Sequence, residues 1–176
     1  MSKSTHRPGL AWVMKRLVAS AFALWLLIAP TVAAAQGVVF VVRHAERADA
    51  SADSLLSTAG HTRAARLGMI LIGAGITQIY TTNLRRTVQT AAPLAKALQL
   101  TPTEIPGSDF DALYTKLHGA TRQDRVLVVG HGNTVPEILR RLGVTSQVTI
   151  GETEYDNLFI VIPQEGSAAL FVPMKY

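Results

Sequence analysis

A three-layer α/β/α sandwich around a mostly parallel central sheet is predicted by two continuous β-branched runs and by the helical periodicities that separate them. Val38-Val39-Phe40-Val41-Val42 and Val126-Leu127-Val128-Val129 show no alternation of apolar and polar residues. That pattern belongs to strands covered on both faces, as in a parallel sheet. Both runs end alike, the first in Arg43-His44 and the second in Gly130-His131, so each places a histidine at the carboxyl end of a central strand. Strands alternating with helices along one chain complete the three layers.

The first 35 residues stand apart. Lys15-Arg16 precedes a largely apolar run from Leu17 to Ala29, followed by Pro30 and by Ala33-Ala34-Ala35 before Gln36. This is the layout of a secretory signal peptide. The competing reading is an uncleaved anchor, but the run before Pro30 is 13 residues long, against the ~20 a helix needs to cross the hydrocarbon. Cleavage after Ala35 is expected, leaving no stable membrane anchor and a periplasmic or secreted domain over residues 36–176. Met14 opens a signal peptide of ordinary layout by itself, so Met1 and Met14 are both candidate starts.

Composition narrows the class. Of the 176 residues 48% are hydrophobic and 16% charged, which excludes intrinsic disorder. The net charge of +5 comes largely from Lys3, Arg7, Lys15 and Arg16; the remaining 13 cationic residues face 12 acidic ones, so no nucleic-acid face is implied. The absence of cysteine excludes disulfides, thiolate metal sites and cysteine nucleophiles.

Along the mature chain, Ser57 caps a helix whose Ala64, Leu67, Gly68 and Leu71 form one apolar stripe. Gly73-Ala74-Gly75 ends it. A strand over Ile76 to Tyr80 leads into a helix from Leu84 to about Leu98, with Asn83 as its expected cap. Glu104 falls in a short strand. Helices follow from about Phe110 to Leu117 and from about Val135 to Leu142, the latter closed by Gly143. Gln147 to Ile150, Leu158 to Ile162 and Ala168 to Val172 fit edge strands or a terminal hairpin. His61 and His118 match no motif and are expected at the surface.

The chemistry gathers in the crevice beyond the carboxyl ends of the strands, where open α/β sheets bind ligands. His44 and His131 reach it from neighbouring strands, Arg43 precedes His44, and Arg85-Arg86 fall in the first turn of a helix. Cations at a helix N-terminus work against its dipole by ~0.3–1 kcal/mol each, a cost that a bound anion reverses. Planar guanidinium groups, a helix N-terminus and histidines together suit phosphate. A histidine flanked by arginines tends to stay neutral and can attack phosphorus.

These residues carry a resemblance. Val41-Val42-Arg43-His44-Ala45-Glu46-Arg47 resembles the Arg-His-Gly signature of the histidine phosphatase superfamily, the phosphoglycerate-mutase-like proteins. Leu56-Ser57-Thr58-Ala59-Gly60 with Arg63-Ala64, the segment from Thr82 to Ala91, and Val128-Val129-Gly130-His131-Gly132-Asn133-Thr134 are similar to the family's later motifs, in family order. The resemblance implies a phosphoglycerate-mutase-like fold with His44 as phosphohistidine nucleophile and with Arg43, Arg86 and His131 completing the phosphate pocket. Asn133 is a further candidate substrate contact. Arg85 falls outside the matched position. Ala45 replaces the usual glycine, and Gly132 after His131 means that the His-Asp pair of one family branch is missing.

The expected activity is hydrolysis of phosphomonoesters through phosphohistidine, without cofactor or metal, since no Asp/His cluster at metal-ligand spacing occurs. Export favours hydrolysis over mutase action. The expected substrate is a phosphorylated small molecule or a phosphate on an envelope glycan or glycolipid. A phosphate-binding pseudoenzyme and a protein phosphohistidine phosphatase are the alternatives. For the proton donor the sequence offers Asp109, then Asp111, then Glu46; Asp109 is equally a cap for the helix that starts near Phe110. An ion pair with Arg47 or Arg43 is the other reading of Glu46.

Overall fold

Strand β1 (Val38–Arg43) forms where β-branched residues favour extended backbone, and it lies at the centre of a six-stranded sheet. The computed structural model describes residues 37–119 and 123–176, so the signal peptide expected over residues 1–35 lies outside the described residues. The remaining elements are α1 (Thr58–Leu71), β2 (Gln78–Thr81), α2 (Arg85–Leu98), β3 (Thr103–Glu104), α3 (Phe110–His118), β4 (Arg125–Gly130), α4 (Val135–Arg141), β5 (Asn157–Ile162) and β6 (Leu170–Lys175). The strand order is β3-β2-β4-β1-β5-β6. β1, β2, β3 and β4 pair in parallel, while β5 runs antiparallel to both β1 and β6. The three-layer α/β fold read from the sequence is therefore the one observed.

Alternate residues of the central strands explain the unbroken apolar runs. Val39, Val41, Val126 and Val128 pack towards one face with Leu117, Ile138 and Leu139 of α3 and α4. Phe40, Val42, Leu127 and Val129 pack towards the other with Leu67, Leu71, Ala91 and Leu94 of α1 and α2. Each fully buried aliphatic side chain contributes about 1.5–3 kcal/mol by leaving water. With helices on both faces, neither set of side chains remains in solvent.

Two expectations need correction. Gln147 to Ile150 is not a strand; it is irregular backbone from which Val148 and Ile150 pack against the core. Asn83 is not the cap of α2: Leu84 occupies that place without a side-chain bond. The carboxylate of Asp53 instead accepts the Arg85 N–H at 2.7 Å, and Thr82 Oγ1 accepts that of Leu84 at 3.3 Å. The last two short runs do form the β5-β6 hairpin. Among the described residues, no helix is long and apolar enough to cross a membrane.

Gly60 fixes the course of the chain leaving β1. A Cβ there would sit 2.3 Å from the Glu46 carbonyl oxygen, and Ser57 N–H donates to that same oxygen at 2.9 Å. Only a glycine lets α1 press against the segment that follows His44. Gly60→Ala is therefore expected to lower stability by about 1–3 kcal/mol, as overpacking does. A urea denaturation midpoint equal to wild type would show that the two segments separate without cost.

Candidate active site

Register brings the two histidines together. Arg43 of β1 stands opposite Gly130 of β4, so His44 and His131 are the next residues out on adjacent parallel strands, with ring centroids 5.3 Å apart. Both are buried. His44 N–H donates to Gly130 O at 2.9 Å, tying the two strand ends. Ala45 N–H donates to Thr90 Oγ1 at 2.9 Å, whose hydroxyl donates to Arg86 O at 2.7 Å. One threonine thus links the chain after His44 to the helix that carries Arg86.

The tautomer of His44 follows from its contact. Nδ1 lies 2.8 Å from Ala45 O, and a carbonyl only accepts, so the proton resides on Nδ1 and Nε2 carries the lone pair. Burial pushes the His44 pKa down to about 3, with the charges of His131, Arg86 and Arg43 adding to it and the Ala45 carbonyl opposing. His131 is lowered to about 4, again by burial first and then by Arg86 and Arg43. Both rings are neutral at ordinary pH. His131 Nε2 is 3.2 Å from Thr82 Oγ1, while its buried Nδ1 has no protein partner.

The arginines are sorted by their neighbours. Arg85 turns to Asp53, donating from Nε at 2.9 Å, so its charge and the end of α2 are already compensated. Arg86 donates from Nη1 to Ala52 O at 2.7 Å, and its buried Nε is unpaired. Arg43 donates from Nη1 to Gly151 O at 2.8 Å and Glu154 O at 3.1 Å, its guanidinium lies 4.2 Å from the centre of the Tyr155 ring, and its buried Nε is also unpaired. Buried donors without partners cost free energy. Arg43 and Arg86, which carry two of them, line one cleft together with His131, whose buried Nδ1 is also without a partner.

That cleft has a volume of about 970 Å³ and is lined by the buried Arg43, His44 and His131 and the half-buried Arg86, with Arg47, Asn133, Ser108, Phe110 and Glu152 also on its lining. Burial and then Arg47 push Arg86 below its usual pKa, Asp53 works against them, and Arg43 adds to the shift. Arg43, Arg47 and Arg86 line the cleft together, and an anion among them would relieve their mutual repulsion. Among the described residues, no three His, Cys, Asp or Glu side chains converge as metal ligands would.

The acids read from the sequence lie elsewhere. Asp109 caps α3, accepting the Ala112 N–H at 3.0 Å, and lines a separate small cavity with Tyr80 and Thr82. Asp111 is exposed and paired with Arg141. Glu46 pairs with neither Arg47 nor Arg43: Arg63 grips it with Nε at 2.9 Å and Nη2 at 2.7 Å. Burial would raise the Glu46 pKa, but the Arg63 hydrogen bonds outweigh it and hold the carboxyl below its usual value. His61 and His118 are exposed, as expected.

Sequence reasoning passed over Asp53, Thr82, Thr90, Tyr155 and the Gly151 to Glu154 turn. Thr82 and Thr90 fall within the segment that carries the family resemblance, which is the signal that could have drawn notice to them. The others touch the site only through contacts distant in sequence, 108 residues in the case of Arg43 and Gly151.

The family model for the histidine phosphatase superfamily (branch 1) matches residues 39–107. A search of the curated proteins finds no match. Among solved structures, the protein histidine phosphatase SixA complexed with tungstate superposes with a TM-score of 0.62 at 21% identity, covering 78% of this chain and 96% of that one. A mycobacterial glucosyl-3-phosphoglycerate phosphatase gives 0.60 at 16% identity over 81% and 98% of the two chains. A phosphoglycerate mutase from Plasmodium falciparum gives 0.56 at 15% over 78% and 89%. At these identities the likeness is one of fold. The segment matched by the family model carries Arg43, His44 and Arg86, and the fold is that of phosphoglycerate-mutase-like proteins.

Proposed function

We propose that the chain hydrolyses phosphate monoesters through a phosphohistidine on His44. The observation that carries this reading is the Nδ1 contact with Ala45 O, which leaves a neutral Nε2 lone pair in a cleft lined by unpaired cationic donors. Nε2 attacks phosphorus, the N–P bond forms and the ester P–O bond breaks. Water then attacks phosphorus, the N–P bond breaks and inorganic phosphate leaves. Nε of Arg43 and of Arg86 donate to the phosphoryl oxygens. If the Thr82 hydroxyl donates to Nε2 of His131, Nδ1–H becomes a third donor. Donors already fixed where charge develops supply the largest share of such catalysis.

In the same reading the chain is exported, its leader is removed after Ala35, and the substrate is a phosphorylated small molecule or a phosphate on an envelope glycan or glycolipid. The breadth of the cleft supports bulky carriers. A second reading, a protein phosphohistidine as substrate, draws on the same breadth and on the similarity to a protein histidine phosphatase. A panel of small esters, a phosphorylated glycolipid and a phosphohistidine protein, assayed with wild type and His44→Ala, tests all three, and absence of turnover on every substrate would leave a phosphate-binding pseudoenzyme.

Turnover is expected to survive EDTA, because Arg43 and Arg86 supply the positive charge that a metal ion provides elsewhere. Loss of activity on chelation, restored by a divalent cation, would overturn the mechanism.

A further inference from the structure

An alkoxide leaving phosphorus needs a proton, and a positioned acid contributes about 10²–10⁴-fold. Among the described residues, two carboxylates line the cleft that holds His44 and His131: Glu137 and Glu152. Glu137 is occupied. Arg140 reaches it from Nε and Nη2 at 2.7 Å and Arg141 from Nε at 2.9 Å, and these bonds pull its pKa down to about 2. A carboxyl held so firmly in its ionised form is a poor proton donor.

Glu152 differs in two ways. First, its side chain has no hydrogen bond or ion pair among the described residues, whereas Asp109, Asp111, Glu46 and Glu154 are all engaged. Second, its backbone is pinned beside the phosphate pocket. The carbonyls of Gly151 and Glu154, on either side of it in sequence, both accept from Nη1 of Arg43, and Gly151 N–H closes the turn on Glu154 Oε2 at 2.9 Å. The guanidinium assigned to the phosphate therefore also holds the turn that presents Glu152, and a free carboxyl group on a fixed backbone is what a proton donor requires.

We infer that Glu152 is the catalytic acid and base of this site, giving its proton to the departing ester oxygen and taking one back from the attacking water. The inference rests on the phosphohistidine reading. In the first step His44 Nε2 bonds to phosphorus, the P–O ester bond breaks, and the carboxyl proton passes to the leaving oxygen, giving a neutral alcohol and the Glu152 carboxylate. In the second, that carboxylate removes a proton from water as its oxygen bonds to phosphorus and the N–P bond breaks. Inorganic phosphate leaves, and the carboxyl group and neutral histidine are restored. Glu152 is exposed on the lining of the cleft in which His44 and His131 are buried, a placement that suits contact with the ester oxygen.

The test compares kcat/KM for glycerol phosphate, whose alkoxide needs a proton, with that for p-nitrophenyl phosphate, whose phenolate departs without one. Glu152→Gln is expected to reduce the glycerol phosphate value about 10²-fold more than the p-nitrophenyl phosphate value, and Asp109→Asn to leave the ratio as in wild type. A merely structural role for Glu152 would lower both values alike, and that result overturns the inference. So does a ratio that moves in Asp109→Asn instead. Quenched wild-type enzyme separates this failure from that of the parent reading: a trapped phosphohistidine with an unmoved ratio removes Glu152 alone, whereas no turnover and no phosphohistidine remove both.

Discussion

His44→Ala is expected to lose about 10⁴-fold or more in kcat, since removing the nucleophile of a covalent mechanism leaves only binding and electrostatic stabilisation. Steady-state assay with p-nitrophenyl phosphate reads the loss, and acid-labile phosphate trapped on wild type but not on the variant locates the intermediate. Retention of more than a few per cent of activity would remove His44 from the nucleophile's place. The pH profile gives a companion readout. An imidazole with its ordinary pKa of 6.5 would protonate and lose its nucleophilicity below that value, whereas burial takes His44 to about 3. After correction for substrate ionisation, the acid limb of kcat/KM is therefore expected well below pH 6. An enzyme limb near 6.5 would contradict the buried geometry. Stability follows the same linkage. Both histidines bind protons more weakly when folded than when unfolded, so unfolding takes up protons between about 6.5 and the folded values of about 3 and 4. Stability is expected to fall as pH drops through that window.

Arg43→Lys is expected to cost about 10²–10³-fold in kcat/KM, the range found when one preorganised donor to a developing anion is removed. Charge is kept, but geometry is not. The guanidinium serves two carbonyls from Nη1, lies over the Tyr155 ring and still has Nε unpaired. An ammonium group offers a point charge with no planar fork and cannot satisfy both carbonyls and a phosphoryl oxygen at once. Arg86→Lys is expected to fail for the same reason, since Nη1 is committed to Ala52 O and Nε is unpaired. Near wild-type kinetics for either variant would move that arginine out of the pocket.

Part of the site is legible along the chain because it is encoded locally. An unalternating β-branched run names a strand covered on both faces, and the residue at its end faces the crevice wherever such strands run parallel. His44 and His131 could thus be paired from sequence, and register places them side by side. The α2 cap was misread for an equally local reason. Asn83 has the right side chain one residue too early, while the true partner of the helix end, Asp53, lies 32 residues away from Arg85. The arginines were expected to keep His44 neutral, yet burial is the larger cause and Arg86 and Arg43 add to it.

By itself, the sequence determined the three-layer fold, the strand ends that carry the histidines, and the motif that marks Arg43 and Arg86. Those properties depend on periodicity and on neighbours in the chain, which any reader of the sequence can follow. Tertiary structure alone decided that Arg85 is spent on Asp53 while Arg86 keeps a free donor, that Arg63 holds the Glu46 carboxylate, and that the turn bearing Glu152 is tied to Arg43. The first two are choices among charged groups for one partner, and the third ties one guanidinium to two backbone carbonyls. Their outcome turns on distances of about 3 Å between residues 17 to more than 100 positions apart, which only the packing of helices on both faces of the sheet can fix.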